Sequence, residues 1–225
     1  MSESTDKSWW FVYGSGRTGT TYLYRLLATN AVHLVSDSGV GRLLNTLHLV
    51  ELLDHQRYLS DLSGNILDNA RRGGGRSIDL VFKQANSTVA EYTQLVAMFG
   101  EPQRKLFCMR NPAGYIASAT KKFEGAKIEQ LRRKYTASYE MYEKVGGDVL
   151  EYGPDLDARH IMNYLEEAGF QMNNKTEDLL TEFKYSGSQS DELVTQPMRN
   201  VYNEFLSKIA DKGVSLAEKH YFLAP

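Results

Sequence analysis

The sequence predicts a three-layer α/β/α fold with a mostly parallel β-sheet. Strand-like runs alternate with amphipathic helix patterns along most of the 225 residues, which is the order expected when helical crossovers connect parallel strands. The first run, Trp9-Trp10-Phe11-Val12-Tyr13, leads through a glycine-rich turn into a helix pattern. The chain is long enough for one full α/β core, so we expect a single domain over residues 1–225.

Hydrophobic spacing and capping signals place the other elements in order. The predicted strands after the first lie at 32–35, 78–82, 105–109 and 148–152. The predicted helices lie at 20–28, 43–59 and 89–99, then from 112, at 128–145, from 154 and from 197. Thr88 and Glu91 have capping-box spacing before the third helix, and Asn111 precedes a proline in the first position of the fourth.

Three further segments have predictions of their own. Residues 1–8 are mostly polar, and we expect a flexible N-terminal tail. Residues 60–77 contain the run Gly73-Gly74-Gly75, whose backbone entropy predicts a mobile loop. Residues 173–225 are predicted to form a C-terminal helical segment.

Composition and charge are those of an ordinary globular protein. The chain is 42% hydrophobic and 24% charged with a formal net charge of −2, so its global field predicts neither nucleic-acid nor anionic-membrane binding. Any anion site must therefore be local. The N-terminus does not resemble a secretory signal, no apolar stretch approaches bilayer length, and the single cysteine, Cys108, fits a reducing compartment. We therefore expect a cytoplasmic protein.

The turn Gly14-Ser15-Gly16-Arg17-Thr18-Gly19-Thr20-Thr21 has the spacing of a phosphate-binding loop. Two glycines separated by four residues let consecutive backbone N–H groups converge on an anion at the positive end of a helix. Nucleoside triphosphatases carry lysine where this chain has Thr20. We therefore expect a phosphate-like ligand but chemistry other than ATP hydrolysis. The candidate binding residues in the loop are Gly16, Arg17, Thr18, Gly19, Thr20 and Thr21.

Other candidate residues fall at the same edge of the predicted sheet. Lys83 stands at the C-terminal end of one strand, Arg110 follows the next, and Tyr152 ends the last. In parallel sheets, ligands bind beyond the carboxyl ends of the strands. The sequence thus predicts that these three side chains and the phosphate-binding loop share one rim.

Two of these segments resemble the donor-binding motifs of sulfotransferases. Residues 11–23 resemble the family's 5′-phosphosulfate loop, and Arg110-Asn111-Pro112 followed by Ser118 resembles its 3′-phosphate motif, Arg-x-Pro-x5-Ser. Tyr152 resembles part of a third family segment. The arginine inside the loop is similar to the tyrosylprotein and carbohydrate branches of the family rather than to the small-phenol branch.

The resemblance implies a P-loop nucleoside triphosphate hydrolase-like fold and 3′-phosphoadenosine 5′-phosphosulfate as sulfuryl donor. The product would be adenosine 3′,5′-bisphosphate, and no metal would be required. By the same resemblance, the loop and Arg17 hold the phosphosulfate, while Arg110 and Ser118 hold the 3′-phosphate. Lys122 is one helical turn after Ser118 and is expected to share that charge.

Transfer of the sulfuryl group builds negative charge on the bridging oxygen of the leaving nucleotide, and fixed cations lower that barrier. Arg17 is the main candidate for this role. Lys83, whose segment resembles that of the family's catalytic lysine, is the second candidate.

The acceptor hydroxyl also needs a base. Asp37 lies near the position of a catalytic glutamate in the arginine-loop branch, and a carboxylate serves when its surroundings raise its pKa toward neutrality. His33, His48 and His55 are competing bases. Asp37 has a second interpretation, as the cap of a helix that begins near Val40.

Two alternative functions remain open at this point. One is a small ATP-dependent kinase with a degenerate loop, and the other is a non-catalytic nucleotide-binding or scaffold protein with the same fold. The acceptor, whether a small molecule, a carbohydrate or a peptide, is not encoded in a readable motif.

Overall fold

The structure, a computed structural model, describes residues 9–29, 31–35, 78–153, 156, 158–167, 173–181, 187 and 189–211. Its strands are β1 (Trp9–Gly14), β2 (Ala31–Val35), β3 (Ile78–Ala85), β4 (Arg104–Met109) and β5 (Asp148–Glu151). Its helices are α1 (Thr20–Ala28), α2 (Val89–Phe99), α3 (Pro112–Lys122), α4 (Ile128–Val145), α5 (Ala158–Glu167), α6 (Asn174–Thr181) and α7 (Gln196–Asp211). A short 3₁₀ turn spans Asp191–Leu193.

The five described strands form one sheet in the order β2-β3-β1-β4-β5, and every neighbouring pair is parallel. The predicted α/β fold with a parallel sheet is therefore confirmed. The connection that leaves β3 passes to β4 on the opposite side of β1, so the strand order reverses at β1. The crevice outside the carboxyl ends of the strands at such a reversal is where ligands bind in open α/β sheets.

Helices cover both faces of the sheet. On one face, α1, α5 and α6 pack on side chains such as Val12, Val81 and Leu106. On the other face, α2, α3, α4 and α7 pack on a mainly aromatic surface that includes Phe11 and Phe107. The sheet is the middle of three layers, and its central strand β1 is buried along its whole length.

The aromatic face is held together around Phe107. Its ring contacts Tyr13 of the neighbouring strand, Tyr139 and Tyr142 of α4, and Phe205 of α7, with ring centroids 4.9 to 5.8 Å apart. Aromatic pairs at such separations add to the stabilisation that burial provides. One ring thus joins the sheet to two helices that are distant in sequence.

The predicted capping signals are confirmed. Thr88 and Glu91 form a reciprocal capping box at the start of α2, and Asn111 accepts a hydrogen bond from the Gly114 N–H at the start of α3. These caps satisfy N–H groups that a helix leaves without partners in its first turn.

Two element predictions need correction. The strand predicted at 78–82 continues to Ala85, because β1 extends to Gly14 and its parallel ladder pairs Val12 with Lys83 and Gly14 with Ala85. Helix α6 lies in the segment 173–225 that was predicted to be helical, but no individual helix was predicted before 197, since the polar sequence Asn174–Thr181 buries only Thr176 and Leu180. The predicted tail at 1–8, the helix at 43–59 and the loop at 60–77 lie outside the described residues.

Among the residues that the structure describes, no helix combines the length and the apolar character needed to cross a membrane.

Candidate functional site

The turn between β1 and α1 requires glycine at two positions. Gly14 has φ +141°, and a Cβ there would lie 2.3 Å from the carbonyl oxygen of Cys108. Gly19 has φ +98°, and a Cβ there would lie 2.8 Å from the Tyr152 ring. Both the backbone conformation and the close packing therefore exclude larger side chains. The two glycines of the predicted motif fix where the chain leaves the strand and where it enters the helix.

Internal hydrogen bonds hold the middle of the turn. The Thr18 hydroxyl and the Thr18 N–H both donate to the carbonyl oxygen of Ser15, at 2.6 and 3.3 Å. Thr18 and Ser15 are buried, so these bonds are shielded from water. Arg17, between them, has φ +79°, an uncommon value for a residue with a side chain. The turn thus presents Arg17 outward from an ordered base.

The turn delivers the N-terminus of α1 to the carboxyl edge of the sheet. Gly19 is the N-cap and offers no side-chain cap. In the described part of the chain, no acceptor receives the N–H groups of Gly19, Thr20 or Thr21. Unpaired amides at the positive end of a helix attract anions. The loop therefore has the donors that the sequence predicts for a phosphate-like group.

Arg110 brings a second charge to the same place. It follows β4, is 4% exposed, and donates from one terminal nitrogen to the carbonyl oxygen of Arg17 at 3.4 Å. Its guanidinium lies 5.4 Å from the centroid of the Tyr152 ring, and the Tyr135 hydroxyl donates to its carbonyl oxygen at 2.8 Å. Stacking and backbone contacts together orient this buried cation.

Ser118 completes the arrangement from α3. The Arg17 Nε donates to the Ser118 Oγ at 3.1 Å, across 101 positions of sequence. The loop after β1 and the helix after β4 are thereby joined by a side-chain bond. Both guanidinium groups and the helix N-terminus therefore face one cleft.

This cleft, which we call the anion cleft, has a volume of about 140 Å³. That is smaller than the roughly 300–1,000 Å³ of pockets that bury a whole drug-sized ligand. The walls of the cleft formed by the described residues contain two arginines and no acidic side chain. The residues that line it are Arg17, Gly19, Thr20, Thr21, Tyr22, Arg110, Ser118 and Tyr152.

The Tyr22 side chain at the cleft remains neutral. Burial raises the pKa of Tyr22, and the neighbouring Tyr152 adds to that effect. The rings of Tyr22 and Tyr152 lie 6.4 Å apart between centroids. They form an aromatic wall of the cleft that also contains Arg110.

Two predicted lysines lie outside the anion cleft. Lys83 is within β3, not at its end, because the ladder with β1 continues two residues further. It is 8% exposed, and its ammonium lies 5.8 Å from the centroid of the Tyr24 ring. Lys122 is exposed at the end of α3. Neither residue is among those that line the cleft.

Three of the predicted bases, Asp37, His48 and His55, lie outside the described residues. The fourth, His33, belongs to β2.

Cys108 behaves as a buried hydrophobic residue. Burial raises the pKa of its thiol well above the ordinary value, against a smaller opposing effect of Lys83. The thiol is therefore neutral and unreactive, as expected from its apolar run.

Sequence reasoning missed Asn86, which contacts the loop directly. Its side-chain Oδ1 accepts hydrogen bonds from the Gly16 N–H at 3.1 Å and from the Ser15 hydroxyl at 3.3 Å. Its backbone has φ +59°. The only signal in the sequence is an asparagine just after a strand, and asparagine is enriched in this left-handed conformation.

No family model matches this sequence, and no curated protein matches it. Among solved structures, the fold is similar to that of the sulfotransferase domain from the Synechococcus PCC 7002 olefin synthase, with a TM-score of 0.57 and 14% sequence identity. The similarity covers 91% of this chain and 98% of that domain. At this identity the comparison establishes the fold, and the chain thus has a sulfotransferase-like α/β fold.

Proposed function

We propose that the protein is a sulfotransferase that moves a sulfuryl group from 3′-phosphoadenosine 5′-phosphosulfate to an acceptor hydroxyl or amine. The observation that carries the proposal is the anion cleft, in which unpaired amides of the loop lie beside Arg17, Arg110 and Ser118. The fold similarity described above supports the same class of function.

The cleft fits the anionic parts of this donor. The N–H groups of Gly19, Thr20 and Thr21 supply the donors for its phosphosulfate, and Arg110 supplies the cation for its 3′-phosphate. The present bond between Arg17 and Ser118 crosses the cleft. We propose that donor binding replaces this bond, so that Arg17 turns to the phosphosulfate and Ser118 to the 3′-phosphate.

Arg17 then serves the chemical step. As the acceptor oxygen bonds to sulfur, the bond from sulfur to the bridging oxygen breaks, and the leaving nucleotide gains negative charge. A guanidinium fixed beside that oxygen stabilises the charge as it develops. The acceptor proton passes to a base, a role for which Asp37 remains the sequence prediction. Lys83 stays a prediction as the second cation for the leaving group, although its side chain is not among those that line the cleft.

Binding of adenosine 3′,5′-bisphosphate by isothermal calorimetry tests the proposal. We expect the protein to bind it more tightly than ADP, which has no 3′-phosphate, and without added Mg²⁺. Arg110→Ala should weaken binding about tenfold to a hundredfold, because a hydrogen-bonded charge contributes roughly 1.5–3 kcal/mol. Lys121→Ala is the matched control, since it removes a positive charge at the exposed end of α3 away from the cleft.

Turnover is tested with radiolabelled donor and fractionated host extract. Arg17→Ala should abolish transfer while the protein remains folded. Magnesium-dependent ATP binding with no preference for a 3′-phosphate would contradict the proposal and favour a kinase. Bisphosphate binding without transfer to any extract fraction would favour a non-catalytic nucleotide-binding protein.

A further inference from the structure

We infer that Asn86 is a positioning residue that holds the first half of the phosphate-binding loop and thereby determines which loop amides face the anion. The inference rests on the proposed function in that the loop must bind a phosphate-type anion. It does not depend on which donor carries that anion.

Asn86 ties the loop to the end of β3 with three hydrogen bonds. Its N–H donates to the carbonyl oxygen of Gly14 at 2.7 Å, which continues the ladder between the two strands. Its Oδ1 accepts from the Gly16 N–H and the Ser15 hydroxyl. The backbone bond belongs with the ladder of β1 and β3, whereas the two side-chain bonds reach Ser15 and Gly16 within the loop.

These bonds divide the loop into two halves. The Asn86 Oδ1 accepts a hydrogen bond from the Gly16 N–H, and the Ser15 carbonyl oxygen accepts one from the Thr18 N–H. In the described ranges, the remaining amides from Arg17 to Thr21 have no acceptor. The first half is thus fixed to the sheet, and the second half is left with donors for a ligand. Donors that are already oriented bind an anion more tightly, because less ordering is needed on binding.

Asparagine meets three requirements at position 86 together. The backbone has φ +59°, which glycine, asparagine and aspartate adopt most readily. The side chain must offer an acceptor, which glycine lacks. The side chain must also be neutral, because an aspartate carboxylate here would repel an anion bound to the same loop.

The test compares Asn86→Gly with Thr88→Ala. Glycine keeps the left-handed backbone and removes only the side-chain bonds. Thr88→Ala removes the cap of α2, two residues away, without touching the loop. Binding of inorganic pyrophosphate and of adenosine 3′,5′-bisphosphate is measured by calorimetry at a temperature where circular dichroism shows both variants fully folded. A residue with a merely structural role would lower the melting temperature and leave affinity in the folded state unchanged.

We expect Asn86→Gly to bind both probes about tenfold more weakly than the unaltered protein, the size expected for loss of roughly one net hydrogen bond. Thr88→Ala should bind both normally. The amide NMR signal of Gly16 should shift in Asn86→Gly and stay in place in Thr88→Ala, which leaves the loop unchanged. Ser15→Ala combined with Asn86→Gly should weaken binding by less than the sum of the two effects, since each variant alone already removes the bond between Ser15 and Asn86.

The outcomes separate this inference from the proposed function. Equal affinities of Asn86→Gly and the unaltered protein would overturn the role of Asn86 and leave the function standing. If the protein binds pyrophosphate as well as it binds adenosine 3′,5′-bisphosphate, that result counts against the proposed sulfotransferase function. The affinities of Asn86→Gly and the unaltered protein for pyrophosphate would then decide the role of Asn86. If the unaltered protein binds neither probe, there is no anion site to position and the inference is wrong.

Discussion

Gly14 and Gly16 occupy the same turn but meet different steric demands. A Cβ at Gly14 would enter the carbonyl group of Cys108, whereas the nearest neighbour of a Cβ at Gly16 is the side-chain amide of Asn86, at an ordinary contact distance of 3.5 Å. The first position also has a positive φ. A single motif therefore contains one glycine that the fold requires and another that the fold tolerates replacing.

Gly14→Ala should lower the free energy of unfolding by about 3 kcal/mol or more, because overpacking and a strained backbone add together. Gly16→Ala should change it by about 0.5 kcal/mol. Urea denaturation followed by circular dichroism measures both. Similar losses in the two variants would show that the close approach to Cys108 does not set the requirement for glycine.

At the residue scale, short motifs predicted much of the candidate site. Local spacing singled out Gly19, and the resemblance to the sulfotransferase 3′-phosphate motif singled out Arg110 and Ser118; both patterns span fewer than ten residues. The contact between Arg17 and Ser118 joins positions 101 apart, and the Asn86 bonds join positions about 70 apart. Such contacts depend on how strands align, which no local pattern encodes.

At the element scale, hydrogen bonding to a neighbouring strand can extend a strand beyond the end of its apolar run. The apolar run of β3 stops at Phe82, yet the strand continues to Ala85 because its neighbour continues. The position of Lys83 was mispredicted for this reason. Helix α6 escaped prediction because its stripe of buried residues is too narrow to give a clear hydrophobic period.

The start of β5 carries a buried carboxyl group that links elements. Asp148 is 2% exposed, accepts a hydrogen bond from the Tyr164 hydroxyl of α5 and pairs with Arg104 of β4 at 3.7 Å. Burial raises its pKa above the ordinary 3.8, and the Tyr164 bond and the Arg104 charge oppose this only in part. The folded protein therefore holds this proton more tightly than the unfolded chain does.

Asp148→Asn tests the direction of that shift. Well below pH 3.8 the carboxyl is neutral in both states, and as the pH rises from there through the raised pKa the folded state must accommodate a buried charge. The stability of the unaltered protein relative to Asp148→Asn should therefore fall as the pH rises from about 4. Urea midpoints at several pH values provide the measurement, and a relative stability that rises with pH would contradict the assignment.

At the scale of the whole molecule, the alternation of strands and helices predicted the layers. The order of the strands was not predictable, because it depends on which helices cover which face. The aromatic cluster around Phe107 helps to determine which helices cover this face, since it joins β4 to α4 and α7.

Phe107→Ala should lower the free energy of unfolding by about 3–5 kcal/mol, the range for large cavities in a core. Phe123→Ala is the matched control, because that ring is 44% exposed and its loss should cost less than about 0.5 kcal/mol. Thermal and urea denaturation of both variants provide the comparison. Equal losses would mean that the cluster does not unite the layers.

Among the described residues, the walls of the anion cleft come from four separate parts of the chain: the loop after β1 with the first turn of α1, the residue after β4, the middle of α3 and the residue after β5. Local opening of any one part removes a wall and releases whatever is bound. A bound anion therefore stabilises the closed state of all four segments at the carboxyl edge of the sheet, so that their local opening becomes coupled. Amide hydrogen exchange in these distant segments should slow together when the cleft is filled.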